Sequence, residues 1–187
     1  LAYNIAFAAT AEEEISGSNG IEYALKYLPP INCAIVGEPT KMQMAVAERG
    51  LLVLDAVSTG KAGHAARNEG ENAISLAMKD IEWFNTYQFP YVSPLLGPVK
   101  MSVTSIETDN KAHNVVPAEC RFIVDIRVNE HYSFEEVLEV ISANVKCSFT
   151  PRSLRLKSSM IPPEHPLVLA GLKLGRTTYG FPTTSDK

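Results

Sequence analysis

Cysteine is scarce in this 187-residue chain: Cys33, Cys120 and Cys147 make an odd number, widely spaced, with no CxxC pair. That pattern argues against a disulfide framework and a zinc knuckle, and predicts buried, reduced thiols. No apolar run approaches the ~20 residues that a helix needs to span a bilayer. The first residues, Leu1, Ala2 and Tyr3, carry no basic segment of the kind that opens a signal peptide, so a cytoplasmic setting is expected. Clusters of lysine and arginine are missing as well. A net charge of −4 without a basic patch argues against nucleic acid and against an anionic membrane as partners. The chain has no initiator methionine, no internal repeat and no low-complexity tract; it is expected to begin inside a longer protein. What remains is an ordinary globular composition, 45% hydrophobic and 20% charged, enough for one large domain or two small ones.

Residues 3–9, "YNIAFAA", have the texture of a buried strand. Ile21, Ala24, Leu25 and Leu28 fall on one helical face that Pro29-Pro30 terminates, and "CAIVGEPT" follows as a second short apolar strand. Strand, helix and strand predict a βαβ unit of a parallel α/β sheet. The texture changes at Arg49-Gly50. A strand "LLVLDAVS" runs to Gly60, and "KAGHAARNEGEN" reads as a loop. Ile74, Ala77, Met78, Ile81 and Phe84 mark an amphipathic helix. The strands "VKMSVTSI" and "ECRFIVDIRV" follow, joined by the turn-forming "ETDNKAHNVVPA". In the second strand Cys120, Phe122, Val124, Ile126 and Val128 alternate on one face. Ser133 and Glu136 form a capping box ahead of a stripe at Phe134, Val137, Leu138 and Ile141, and Leu154 with Leu156 predict a last strand. The order β-α-β-β-α-β is that of a ferredoxin-like domain. It is expected over residues 50–157, inserted between two partial pieces of an α/β domain at 1–49 and 158–187. Pro166 opens a helix in the second piece.

Chemistry is densest at "TAEEEISG", where Glu12, Glu13 and Glu14 stand side by side at the end of the first expected strand. Sites in open α/β sheets form outside the carboxyl ends of strands, and Glu38 of "VGEPT" ends the next one. Two readings stand. Oxygen ligands converging on a divalent cation would turn the mutual repulsion into binding, with one neighbour ligating and the other serving as general base. A solvated acidic loop opening a helix, where negative charge suits the N-terminus, is the plainer one.

The set "AATAEEEISG", "IVGEPT", "AERG", "GKAGHAA", "NVVPAE", "DIRV" and "TTSDK" resembles, in order and spacing, the co-catalytic zinc deacylases and carboxypeptidases. These are the acetylornithine deacetylase and succinyl-diaminopimelate desuccinylase group. The resemblance spans essentially the whole chain. It implies a zinc-peptidase-like α/β catalytic domain with an inserted ferredoxin-like lid that makes a homodimer, and one or two zinc ions, replaceable by cobalt in vitro. Position by position it implies Glu13 as general base, Glu14 and Glu38 as zinc ligands, and Glu12 as a supporting carboxylate. His64 would reach across the dimer to the oxygen of the scissile carbonyl, with Asn114 beside it. Arg127 and Arg49 would bind the substrate carboxylate, which suits a guanidinium fork. Plainer roles compete at each: a surface histidine at 64, a turn cap at Asn114, a solvated strand face at Arg127. His113, His131 and His165 match no motif and are expected on the surface. Trp83 with Phe84 is expected in core or dimer interface.

The family's H-x-D motif and bridging aspartate would precede Leu1, and its last zinc histidine would follow Lys187, so the chain is expected to be a fragment with exposed sheet edges. The activity implied is removal of an acyl group from an N-acyl amino acid, acetylornithine in arginine biosynthesis first, with succinylornithine, succinyl-diaminopimelate or a dipeptide as alternatives. An inactive dimerisation module and a non-catalytic binding protein are the readings of another class.

Overall fold

The computed structural model describes residues 4–12, 17, 19–67 and 69–184. The chain divides into two compact units, one running up to Met42 and the other Gln43–Thr184.

In the first unit, α1 (Ile21–Ala24) continues as a 3₁₀ turn over Leu25–Tyr27 and buries no residue. Neither expected strand forms. Residues 4–10 and 33–39 have no regular pairing, and Ile5, Phe7 and Ile35 are 81%, 92% and 84% exposed. The expected βαβ unit is therefore corrected to a short helix between irregular segments. A parallel strand is stable only when neighbours pair its edges and helices cover both faces, and the described residues supply neither. Cys33 lies in this stretch and is exposed, against the expectation of three buried thiols; Cys120 and Cys147 are buried and free.

The second unit contains β1 (Met44–Glu48), β2 (Gly50–Thr59), β3 (Gly63–His64), α2 (Ala73–Thr86), β4 (Lys100–Thr108), β5 (Val115–Val116) and β6 (Glu119–Val128). Then come α3 (Phe134–Asn144), β7 (Ser148–Pro151), β8 (Ser159–Met160), α4 (Pro166–Lys173) and β9 (Thr178–Phe181). Its main sheet has the order β4-β6-β2-β7, every pair antiparallel, with α2 and α3 packed on one face. This is the ferredoxin-like arrangement that the element order predicts. The β2–β6 pair is the centre, ten residues in register from Gly50↔Val128 to Thr59↔Glu119. Leu52, Leu54 and Ala56 from β2 and Cys120, Phe122, Val124, Ile126 and Val128 from β6 turn inward. They meet Ala77 and Phe84 of α2 and Phe134, Val137 and Ile141 of α3. Large side chains buried to this degree contribute roughly 1.5–3 kcal/mol each, which makes this layer the main source of stability. The capping box at Ser133 and Glu136 is formed in full, with both the side-chain and backbone bonds present.

Two details depart from the sequence reading. The last strand is Ser148–Pro151, paired to Val57–Leu54 across β2, and not Leu154–Leu156. Leu156 is buried, but its carbonyl accepts from the Leu51 amide where the chain leaves the sheet. On α2 the buried positions are Ala73, Ala77, Asp80 and Phe84, while Met78 is 62% exposed. The stripe is rotated because Asp80 has specific partners inside: its carboxylate accepts from the Lys146 amide at 3.0 Å and the Cys147 amide at 2.8 Å. It thereby holds the link between α3 and β7. Burial, with the Asp80 carboxylate adding to it, pushes the Cys147 thiol up to about 12.

A second sheet, β8-β1-β9, lies where the main sheet's two connecting chains emerge. β1 pairs parallel with β9 and antiparallel with β8, and α4 starts at a His165 N-cap whose Nδ1 accepts from the Leu167 amide. His165 is therefore half-buried in a capping role, whereas His113 and His131 are exposed as expected. Gly50 joins β1's continuation to β2. A Cβ there would sit 2.7 Å from the Ser158 nitrogen, so the two crossing chains pack closer than any side chain allows.

Replacing Asp80 by alanine strips two buried amides of their acceptor and is expected to cost about 2–3 kcal/mol. Met78→Ala, on the exposed side of the same helix, should stay within about 0.5 kcal/mol. Urea unfolding measures both, and equal losses would contradict the assignment.

Candidate functional site

The β2–β6 ladder carries the expected binding groups at its two ends. At the Thr59↔Glu119 end the pairing continues past the sheet: the Gly60 amide donates to the Ala118 carbonyl at 2.7 Å. β3 then pairs with β5, Gly63 against Val116 and His64 against Val115. The Ala65 amide donates to the Asn114 carbonyl at 3.0 Å. His64 and Asn114, fifty residues apart in sequence, are thus neighbours across one short ladder. Part of the stretch expected to be loop is this strand, and a 3₁₀ turn over Ala65–Arg67 follows it. The return segment explains the glycines. Lys61 and Glu71 exchange backbone bonds of 2.8 and 2.9 Å, and a Cβ on Gly63 would lie 2.2 Å from the Glu69 carbonyl oxygen. His64 is half-buried, and its Nδ1 accepts from the Ala66 amide at 3.2 Å. An accepting Nδ1 places the proton of the neutral ring on Nε2, which makes the outer nitrogen a donor.

At the other end, Arg49 precedes Gly50, and Arg127 faces Leu51 across the ladder. Arg127 lies on the face opposite Ile126, as its alternation predicts. It is held by Asp125 two residues before it through Nε at 2.8 Å and Nη2 at 3.0 Å. That carboxylate was not anticipated, although period two puts residues 125 and 127 on one face. Arg49 donates through Nη2 to the Leu96 carbonyl, and its buried Nε has no hydrogen-bond partner among the described residues. Burial lowers the pKa of Arg49, and the positive Arg127 lowers it further. Thr184 adds a hydroxyl that donates to the Arg49 carbonyl at 2.5 Å. The site therefore has two guanidiniums close enough to repel, only one of them paired with an acid among the described residues. That is an arrangement suited to an anion.

Ten paired residues at about 3.4 Å each set the two ends roughly 30 Å apart. His64 and Asn114 cannot meet Arg49 and Arg127 of the same chain on one small ligand.

The acidic residues are placed less completely. Glu13 and Glu14 lie outside the described residues. Glu12 has its two carboxylate oxygens engaged by the Asn19 amide at 3.0 Å and the Asn19 side chain at 3.1 Å. Glu38 is half-buried in a turn, where its carbonyl accepts from Thr40. Among the described residues no three His, Cys, Asp or Glu side chains converge to hold a metal, so these residues do not fit a zinc site on their own. No helix among them is long and apolar enough to cross a membrane. A cavity of about 450 Å³ at the N-terminus of α3, lined in part by Glu130, His131, Lys157 and Ser159, contains none of the expected residues.

A model of the peptidase dimerisation domain of M20 proteins matches residues 46–147, which takes in both ends of the ladder. The chain belongs to the M20 family. Curated relatives of this M20 chain include succinyl-diaminopimelate desuccinylase 2 of Ruegeria sp. (strain TM1040), 25% identical over 77% of the chain and 39% of the relative. The succinyl-diaminopimelate desuccinylase of Roseobacter denitrificans is 26% identical over 75% of the chain and 40% of the relative. The chain thus spans about two fifths of the length of these curated relatives. Among solved structures, aminopeptidase PepT from Bacillus cereus superposes with a TM-score of 0.61 at 16% identity, over 77% of this chain and 41% of that one. The M20 family metallo-carboxypeptidase Sso-CP2 from Sulfolobus solfataricus gives 0.58 at 13% identity, over 80% and 56%. These likenesses agree with the partial α/β zinc-peptidase fold and inserted ferredoxin-like domain expected from the sequence.

The hydrogen bond from the Ala66 amide predicts that neutral His64 is the Nε2–H tautomer. Long-range nitrogen–proton NMR correlations of the imidazole should show a protonated Nε2 and an unprotonated Nδ1; the reverse would remove His64 as an outward donor.

Proposed function

We propose that the whole protein is a metal-dependent M20 amidohydrolase that removes an acyl group from an N-acylated amino acid, acting as a homodimer through the ferredoxin-like domain. The observation that carries this reading is the length of the β2–β6 ladder. It keeps the carboxylate-binding end and the His64 end of one chain roughly 30 Å apart, so that a complete site needs both ends from different chains. Arg49 and Arg127 hold the substrate carboxylate. Glu13 takes a proton from the attacking water and delivers it to the departing amine. The Nε2–H of the partner's His64 donates to the oxyanion as it develops, with the partner's Asn114 beside it. Glu14 and Glu38 are assigned as carboxylate ligands to zinc; two carboxylates do not by themselves close a zinc site, and the steps above use none of its chemistry.

The names of the relatives favour N-succinyl-diaminopimelate as substrate, ahead of the acetylornithine that the sequence motifs put first. A second reading has its own support. The matched region, 46–147, holds His64, Asn114, Arg49 and Arg127 but not Glu13, Glu14 or Glu38. Taken alone, it is a dimerisation module that lends binding groups without the base.

The test mixes two inactive full-length variants, His64→Ala and Glu13→Gln. Random exchange makes half the dimers mixed, each with one intact site, so about a quarter of wild-type turnover should return. Mixed dimers without recovered activity would refute action across the dimer. Higher kcat/KM on the acetylated than on the succinylated substrate would restore the first expectation.

A further inference from the structure

Arg49 sits where a cation is costly to keep. Among the described residues its buried Nε has no partner, its Nη2 is spent on the Leu96 carbonyl, and Arg127 stands close by, already matched by Asp125. Among the described residues one backbone oxygen therefore receives its guanidinium, and what fixes Leu96 bears on its orientation.

Leu96 belongs to the 91–97 loop between α2 and β4. Ser93 and Gly97 exchange backbone bonds of 3.0 and 2.8 Å, and the Ser93 hydroxyl accepts from the Leu95 and Leu96 amides. The turn is thus internally closed, and a second set of bonds links it to the end of β6. That link is Asn129, directly after β6 and two residues beyond Arg127. Its side chain has no solvent exposure. Nδ2 donates to the Tyr91 carbonyl at 3.1 Å and the Gly97 carbonyl at 2.9 Å, and Oδ1 accepts from the His131 amide at 3.1 Å. The Tyr132 hydroxyl accepts from the Tyr91 amide at 2.8 Å. Both ends of the loop are therefore pinned to the segment that directly follows β6.

The geometry points to Asn129 as a positioning residue: by clamping the 91–97 loop it holds the Leu96 carbonyl that aims Arg49 at the ligand carboxylate. This rests on the reading of Arg49 as a carboxylate-binding residue. β6 then bears on both guanidiniums: it carries Arg127, and through Asn129 directly after it steadies the loop that holds Arg49. A buried Asn that spends both donors on two carbonyls of one loop is a rigid fastening, since losing it takes a donor from each and leaves the Gly97 carbonyl to the Ser93 amide alone.

The test uses the full-length protein and Asn129→Asp, which keeps the shape and the Oδ1 acceptor but removes the two donors to the loop. KM is measured for the N-acyl amino acid and for its carboxamide, which lacks the negative charge. Asn129→Asp should raise KM for the carboxylate substrate about tenfold, the worth of one charge-assisted hydrogen bond, with kcat within about twofold and KM for the carboxamide unchanged. In an Arg49→Lys background the same change should add less than about twofold, because the residue it acts through is already altered. Equal effects on both substrates, or the full factor persisting in Arg49→Lys, would overturn the proposal. Tyr132→Phe, which loosens the same loop without touching Asn129, should show the same discrimination at smaller size, and it decides the matter alone should Asn129→Asp not fold. Arg49→Lys by itself separates the two levels. If it discriminates and the Asn129 and Tyr132 variants do not, positioning fails and the binding role stands. If it treats both substrates alike, the binding role fails and takes the proposal with it.

Discussion

The ten-residue antiparallel register between β2 and β6 is the constraint on which the rest depends. Its inner face supplies most of the core, and its backbone bonds fix how far apart the two ends lie. One end presents Arg49 and Arg127; the other runs on into the ladder that sets His64 against Val115. A slip of β6 by one residue would turn Phe122, Val124 and Ile126 outward and at the same time move Arg127 to the buried face. Stability and site geometry are therefore locked by the same choice of register.

Buried polar groups finish what the apolar layer begins. Asp80, Asn129 and Arg49 each reach backbone groups far away in sequence, at the α3–β7 link or the 91–97 loop. Such bonds add modest net stability, but leaving a partner unmet is expensive, so they select one arrangement of loops over near alternatives. Asp80 secures the core side of the sheet. Asn129 and Arg49 act at the junction where Gly50 lets the two crossing chains approach, and there the fastening serves the proposed binding end.

Features with local causes were legible in the sequence. The alternation of Cys120 to Val128 and the capping box at Ser133 and Glu136 depend on neighbours a few residues away, and both are formed. Where the deciding partner is distant, the sequence misled. Leu154 and Leu156 alternate like a strand, but β2 pairs with the segment before them. Met78 looked buried because the partners that draw Asp80 inward are 66 and 67 residues away. The apolar runs at 4–9 and 33–36 read as strands by composition, yet a strand needs an edge to pair with. At the site, the motif set drew attention to His64, Asn114, Arg49 and Arg127. Only the register separates them into two pairs at opposite ends; Asp125 had a signal in the strand period, whereas Asn129 and Leu96 act through bonds to residues distant in sequence.

The central claim is that the proposed site is completed by two chains because one rigid ladder cannot bring its own ends together. The most direct measurement is a crystal structure of the full-length homodimer with a carboxylate-bearing product bound. The account predicts that the carboxylate lies on Arg49 and Arg127 of one protomer while the imidazole facing the reacting carbonyl is the partner's His64. A product touched by His64 and Arg127 of the same chain would contradict it.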